Sequence, residues 1–304
     1  RPIAEPAERD VLAEELAPLA PVVAQGGFAV YVCTQREAPE VLREIGRLRE
    51  VTFRAVGEGT GKALDIDRFD PYYRQIVVWN AEAREVVGAY RMFGTDEALA
   101  RGGVEALYTH TLFEFDRATI EALGPALELG RSFVRREYQK NYAPLMLLWR
   151  GIAEWIVANP RYRVLFGAVS ITAEYQPLSQ ALMVHYLRLR SRHEGLARAV
   201  HSRNPVDLRD LGSAVLAEGG PTLGDLKELS TLVSEVEPDR KGVPTLLKEY
   251  LKLGGRVLDF NVDAEFGDVL DALLIVDLAE TPQRVLARYM GADGAARFRA
   301  HHGL

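Results

Sequence analysis

The residues best suited to chemistry fall into four short spacings: Arg49 with Phe53, Asp67 with Asp70, Gly88 with Arg91, and Glu128 with Arg131. The last pair lies in LELGRSFVRREYQKNYAPLMLLW, residues 127–149. Its first half alternates apolar and polar like a half-buried strand, and its second half, from Tyr142, is apolar nearly all round like a buried helix. A strand that runs through a basic, Gln-containing turn into a helix offers side chains at one end and free backbone N–H groups at the other. Glu128 and Arg131 share a strand face only if a bulge or twist intervenes. A structural ion pair accounts for them as well as a functional pairing does. Asp67 and Asp70, just before Pro71, suit a turn or a site equally. Arg49 and Phe53 on their own read as a surface charge and a core anchor, and Arg91 as a solvated strand end. Together they place charges on one helix, one loop, one hairpin strand and one central strand, which a compact sheet would gather at one edge.

Composition narrows the classes. The 304 residues, 48% hydrophobic and 26% charged, are enough for one large core or two modest ones. A formal charge of -6 argues against a nucleic-acid partner, although Arg131, Arg135, Arg136 and Lys140 form a local basic patch. A single cysteine, Cys33, excludes internal disulfides and points to a reducing compartment. The six histidines lack metal-ligand spacing, so no metal is expected. There is no 18-residue apolar run, and RPIAEPAERD does not read as a signal peptide, which makes the cytoplasm the expected location. The chain opens on Arg1 and not on Met, so an upstream segment is left open.

The elements that must position these residues follow in order. Residues 1–27 form an arm with a short helix that packs on the body. A strand at 28–34, a helix from Ala38, the acidic loop GEGTGKALDIDRFDP and the hairpin IVVWN-AEAR-VVGAYRMF come next. An irregular excursion at 96–118 precedes the strand at 127–138, the helix at 143–158, the strand at 163–171 and an amphipathic helix to about Arg190. Residues 191–240 change in composition and read as a helical insertion, and from Pro244 a helix, two strands and a tail helix complete the body. The fold class is α+β, a mixed central sheet flanked by helices with a helical insertion, the core spanning 28–190 and 241–304.

The four spacings, in that order, resemble the signature of acyl-homoserine-lactone synthases, members of the GNAT acyltransferase superfamily. Over 28–280 the chain is more similar to the hemolysin-like N-acyltransferases of that superfamily, the group of ornithine-lipid, glycine-lipid and N-acyl amino acid synthases. LELGRSFVRREYQKNYAPLMLLWRGI and RVLDFNVDAEFGDVLDALLIVDL carry most of the likeness. The resemblance implies a GNAT fold that transfers a long-chain acyl group, with or without a 3-hydroxyl, to the amine of a small amino acid such as ornithine or glycine. Glu128 would be the general base, directly or through a water, with backbone N–H groups around Gly130 to Phe133 holding the oxyanion. Arg131, Arg91 and Arg49, with Asp67 and Asp70, would orient the acceptor and brace the loop, and Phe53, Ser132 and Phe133 would contact substrate. Cys33, in an apolar strand with no histidine near it in sequence, lacks support as a nucleophile.

In GNAT enzymes that use acyl-CoA, a Gln/Arg-x-x-Gly-x-Gly/Ala turn receives the pyrophosphate. Here that stretch reads Gln139-Lys140-Asn141-Tyr142-Ala143-Pro144: Tyr142 replaces the first glycine and Pro144 has no N–H. The expected co-substrate is therefore the acyl-phosphopantetheine of an acyl-carrier protein, with acyl-CoA less favoured and no permanent cofactor. Arg135, Arg136, Gln139, Lys140 and Tyr142 would receive this acidic partner. The helix at 144–157 suits the wall of a fatty-acyl tunnel, the core of the sheet, or both. A lactone-signal synthase and a non-catalytic carrier- or lipid-binding protein are the competing readings, and transient contact with the inner face of a membrane is left open.

Overall fold

The computed structural model describes residues 1–211 and 223–304. Its centre is an eight-stranded sheet in the order β1-β2-β3-β4-β6-β7-β10-β9. These strands are β1 (Val23–Gln25), β2 (Phe28–Cys33), β3 (Arg74–Asn80), β4 (Glu85–Gly94), β6 (Ala126–Val134), β7 (Val164–Ile171), β9 (Arg256–Asp263) and β10 (Val269–Asp277). Two short strands, β5 (Phe113–Glu114) and β8 (His201–Ser202), pair apart from it. The helices are α1 (Arg9–Leu16), α2 (Pro39–Arg54), α3 (Thr95–Arg101), α4 (Arg117–Ala122), α5 (Ala143–Ala158), α6 (Pro177–Arg190), α7 (Leu226–Val236), α8 (Thr245–Lys252) and α9 (Gln283–His301). The expected GNAT-like mixed sheet flanked by helices is what forms.

Each neighbouring pair in the large sheet is antiparallel except β6 and β7, which pair in parallel at three positions only, Ala126–Glu128 against Val164–Phe166. Beyond that seam the strands part. Gly167 sits at the parting because nothing larger fits: a Cβ there would lie 2.2 Å from the Leu129 carbonyl oxygen. On its other side β6 bulges. Arg91 faces Gly130 and Ala89 faces Phe133, so Tyr90 alone opposes both Arg131 and Ser132. Arg131 takes φ 54°, the left-handed region that non-glycine residues seldom occupy.

Two layers cover the sheet. The main core lies under α5 and α9, and Gly151 lets α5 close on the sheet, since a Cβ there would meet Val30 at 2.7 Å and Ile76 at 2.9 Å. On the other face α2, with Pro39 in its first turn, buries Val41, Ile45 and Leu48 against Val77, Trp79 and Ala89. Next to it the excursion after β4 folds as α3 and two 3-10 turns and packs Leu107 and Phe113 against Phe93, Phe166 and Leu273.

Of the expected insertion, residues 191–211 run along the edge strand β9 through bridges at Arg192 and Pro205, and α7 buries Leu229 and Val233 in the main core. Residues 212–222 of that stretch lie outside the described residues. The arm at 1–27 holds α1 and also β1, which pairs with β2.

Candidate active site

A cavity of about 190 Å³ opens where β6 and β7 part. Leu129 to Ser132 form one side and Ala168 and Ser170 another. Tyr90 and Leu129 belong to the core on one face of the sheet and Leu112 to the core on the other, so the cavity passes between the strands from face to face. Phe53 and Glu58 reach it from the end of α2 and the loop behind it, and Asp263, Phe266 and Asp271 reach it from β9, β10 and their connecting turn.

Arg131 is the sole cation lining this cavity among the described residues. The bulge carries its guanidinium between two rings, 4.9 Å from the centroid of Tyr108 and 4.1 Å from that of Phe266. Asp65 and Asp67 lie at 3.8 and 3.7 Å, too far for charge-assisted hydrogen bonds, and Nε has no partner. The group is held in place but unsaturated, as a receptor for a carboxylate should be.

Around it stand three carboxylates that the sequence reading does not single out. Glu58 is 8% exposed and its Oε1 has no hydrogen-bond partner. Burial, then Asp271 and Glu174, push its pKa up to about 7. Asp271 has one oxygen held by the Ser170 hydroxyl at 2.9 Å, and burial, seconded by Asp263, pushes it too up to about 7. Burial also raises Asp263, which accepts the Glu265 N–H at 3.0 Å. A signal for Asp271 exists in the sequence: it is a charge in an otherwise apolar run, VLDALLIV.

Glu128, expected as the general base, is fully engaged by its neighbours. It lies on β6 near the cavity but not in its wall, and both of its oxygens are occupied. Oε1 accepts the N–H and hydroxyl of Thr109 at 2.7 and 2.5 Å, and Oε2 accepts the Tyr108 N–H at 3.1 Å and the Tyr73 hydroxyl. Burial raises its pKa against the pull of Thr109 and Tyr73. A carboxylate that accepts from four donors has little free lone-pair capacity left for an amine. It forms no ion pair with Arg131. Instead the bulge brings both onto Tyr108, whose N–H bonds Glu128 and whose ring lies against Arg131.

Arg49, Asp70, Asp67 and Arg91 form a buried brace beneath the cavity and not part of its wall. Arg49 donates to Asp70 at 2.8 Å and to Gln75 at 2.8 Å. Arg91 Nη1 donates to both oxygens of Asp67 at 2.9 and 2.8 Å and lies 3.3 Å from Asp70. Burial favours a neutral Asp70, yet Arg49 and Arg91 hold its pKa well below the usual carboxylate range. Of the residues expected to contact substrate, Phe53 and Ser132 line the cavity, and Phe133 is buried against α2.

A GNAT acetyltransferase domain matches residues 48–150, which carry the bulged strand and the helix after it. Over 266 residues the chain is 34% identical to a glycine Nα-acyltransferase of Bacteroides thetaiotaomicron, spanning 83% of this chain and 77% of that one. The chain belongs to the GNAT-superfamily N-acyltransferases. A second glycine Nα-acyltransferase, of Phocaeicola vulgatus, is 32% identical over 83% of this chain and 80% of its own length. An L-ornithine Nα-acyltransferase of Brucella abortus is 27% identical over 89% and 90%. The solved structure of FeeM, an N-acyl amino acid synthase from uncultured soil microbes, overlaps 64% of this chain and 98% of that one at 13% identity and a TM-score of 0.35, too loose a likeness to bear on the site.

The approach to α5 in this acyltransferase differs in part from expectation. Arg135 is spent internally on Glu85 at 2.9 Å and Glu137 at 3.1 Å, and Gln139 donates to the Val134 carbonyl at 2.8 Å. Arg136, Lys140 and Tyr142 are exposed, and neither cation is in an ion pair among the described residues. None of the α5 residues lines the cavity: Leu147, Leu148, Trp149 and Ile152 are core, and Leu145, Met146 and Trp155 pack at its margin. Burial, then Glu37 and Glu15, push the Cys33 thiol up to about 12, which leaves no thiolate at neutral pH. No group of His, Cys, Asp or Glu able to hold a metal, and no helix long and apolar enough to cross a membrane, occurs among the described residues.

Proposed function

We propose that this N-acyltransferase joins a long-chain fatty acyl group to the α-amine of a small free amino acid of the glycine or ornithine kind, drawing the acyl group from an acyl-carrier protein. The observation that carries the reading is the unsaturated Arg131 in a cavity that passes through the sheet. A thioester entering from one face and an amino acid from the other meet in such a gap. A guanidinium there suits the acceptor's carboxylate through a paired hydrogen bond. The names of the relatives agree with an amino-acid acceptor.

Transfer is direct. The free amine attacks the thioester carbonyl, the C–N bond forms, and the tetrahedral oxyanion collapses with loss of the pantetheine thiol. The bulge leaves Arg131 and Ser132 without one-to-one partners on β4, so their N–H groups are the candidates for holding that oxyanion. The donor preference follows from the start of α5. Its Ala143 N–H is taken by Asn141 Oδ1 at 2.9 Å, Pro144 has none, and the Met146 N–H bonds the Tyr142 carbonyl. A pyrophosphate finds few donors there, whereas Arg136 and Lys140 suit an acidic carrier protein. Turnover with matched acyl-carrier and acyl-CoA thioesters, glycine and ornithine as acceptors, tests this by mass of the amide product. Faster reaction with the CoA thioester overturns the donor, and no amide with either amino acid overturns the activity.

A further inference from the structure

The cavity wall is charged out of balance. Arg131 already has Asp65 and Asp67 beside it, yet Glu58, Asp263 and Asp271 line the same space and, among the described residues, no second cation lines it. Buried carboxylates ordinarily have partners, because leaving one unpaired away from water is costly. Glu58 is more than nine-tenths buried, lines the cavity, and leaves Oε1 with none. Asp271 lies on β10, separated from β6 by β7 in the sheet, and has one oxygen steadied by Ser170. A buried carboxylate that lines the cavity and keeps an unpartnered oxygen is placed for a cation that arrives with a ligand.

We propose that Glu58 and Asp271 form the amine subsite of the acceptor: Glu58 seats the ammonium group and Asp271 takes its proton, while Arg131 holds the carboxylate. The proposal rests on the acyl-transfer reading and deepens it, because it makes the acceptor a free α-amino acid with both charges present and excludes simple amines and amino amides. One proton passes from the ammonium to Asp271 and thence to solvent. The amine attacks, the C–N bond forms and the C–S bond breaks, and the second nitrogen proton ends on the departing thiol. Glu58 faces Asp271, Asp263 and Glu174 as like charges and Arg131 as the opposing one, and Asp271 faces Asp263 and Arg131 with Ser170 as donor. These surroundings set both carboxylates near neutrality, where a base that must lose and regain a proton works best.

The test uses the full chain and two isosteric variants, Asp271→Asn and Glu58→Gln, with wild type. Wild type is expected to show a kcat/KM limb that rises with pH through about 7. Asp271→Asn should lose roughly 100-fold or more in kcat together with that limb, with the donor KM unchanged. Glu58→Gln should raise the acceptor KM at least about tenfold and leave the donor KM alone, and glycinamide should be a poor acceptor beside glycine. Titration calorimetry with glycine and ornithine reads the subsite without turnover, with weaker binding expected in both variants. Wild-type kinetics, pH limb and amino-acid binding in both variants would overturn the subsite. A wild type that binds an amino acid through Glu58 but transfers nothing sinks the acyl-transfer reading and leaves the subsite standing.

Discussion

Replacing Glu128 by Gln separates positioning from proton transfer. The carboxylate accepts two hydrogen bonds from Thr109 on one oxygen and two, from Tyr108 and Tyr73, on the other. An amide keeps one acceptor and turns an NH2 toward the second pair. The Tyr73 hydroxyl can rotate and accept from it, and the Tyr108 N–H keeps the Tyr73 oxygen at 2.9 Å as its acceptor. If the amide turns over, the Thr109 N–H loses its acceptor instead, so the first orientation is favoured. The loss is then the hydrogen bonds to a charged oxygen at Tyr73 and Tyr108, roughly 1–3 kcal/mol. Tyr108 is the residue whose ring steadies Arg131, so the acceptor KM should rise several-fold. The pH limb of kcat/KM should stay where it is, because in the proposed scheme the proton goes to Asp271. Urea denaturation gives the first quantity and steady-state kinetics from about pH 6 to 9 gives the others. A 100-fold fall in kcat with the limb abolished and stability untouched would refute this reasoning and make Glu128 the base.

Other outcomes follow from the same geometry. Asp70→Asn leaves Arg49 and Arg91 buried without their shared anion, and urea denaturation should show a loss of roughly 3–5 kcal/mol; a loss below about 1 kcal/mol would mean the network relaxes onto Asp67. Gly167→Ala drives a methyl into the Leu129 carbonyl and should cost roughly 1–3 kcal/mol and weaken acceptor binding, both read on the purified variant. Stability should depend on pH in two opposite ways. Asp70 is held low, so its contribution is present above about pH 4, its unfolded value, and drains away as pH falls further. Glu58 and Asp271 are held high, so the native state keeps protons that the unfolded chain has released, and stability falls as pH rises from about 4 to about 7. Asp271→Asn should flatten the second trend, and an unchanged slope would place its titration elsewhere.

Where local pattern decided structure, the sequence was readable. The alternation through Leu127–Phe133 and the apolar run after Tyr142 became β6 and α5, and the condition that Glu128 and Arg131 need a bulge to share a face was met by one at Arg131. The hydrogen-bond partners of Glu128 were not readable, because Thr109 and Tyr108 come from a segment of 3-10 turns with no periodicity to read. Glu58 and Asp271 were hidden for a different reason. Glu58 is unremarked in its glycine-bearing loop, and the charge of Asp271 in its apolar strand says nothing of what it faces. Asp271 reaches the cavity beside Arg131 through the placing of β7 between β6 and β10, an order that no local spacing encodes.

The three-residue seam between β6 and β7 also divides the molecule in heredity as well as in space. All strands before Val164 other than the short β5 lie on one side of it, and β7, β9 and β10 lie on the other. The guanidinium comes from the first part of the gene and two of the three carboxylates come from the last. Exchange of the coding sequence downstream of Val164 between relatives would therefore replace Asp263 and Asp271 in the cavity wall while leaving Arg131, its bulged strand and the turn before α5 intact. On the proposed amine subsite, one crossover at that seam would change the acceptor side of the cavity alone.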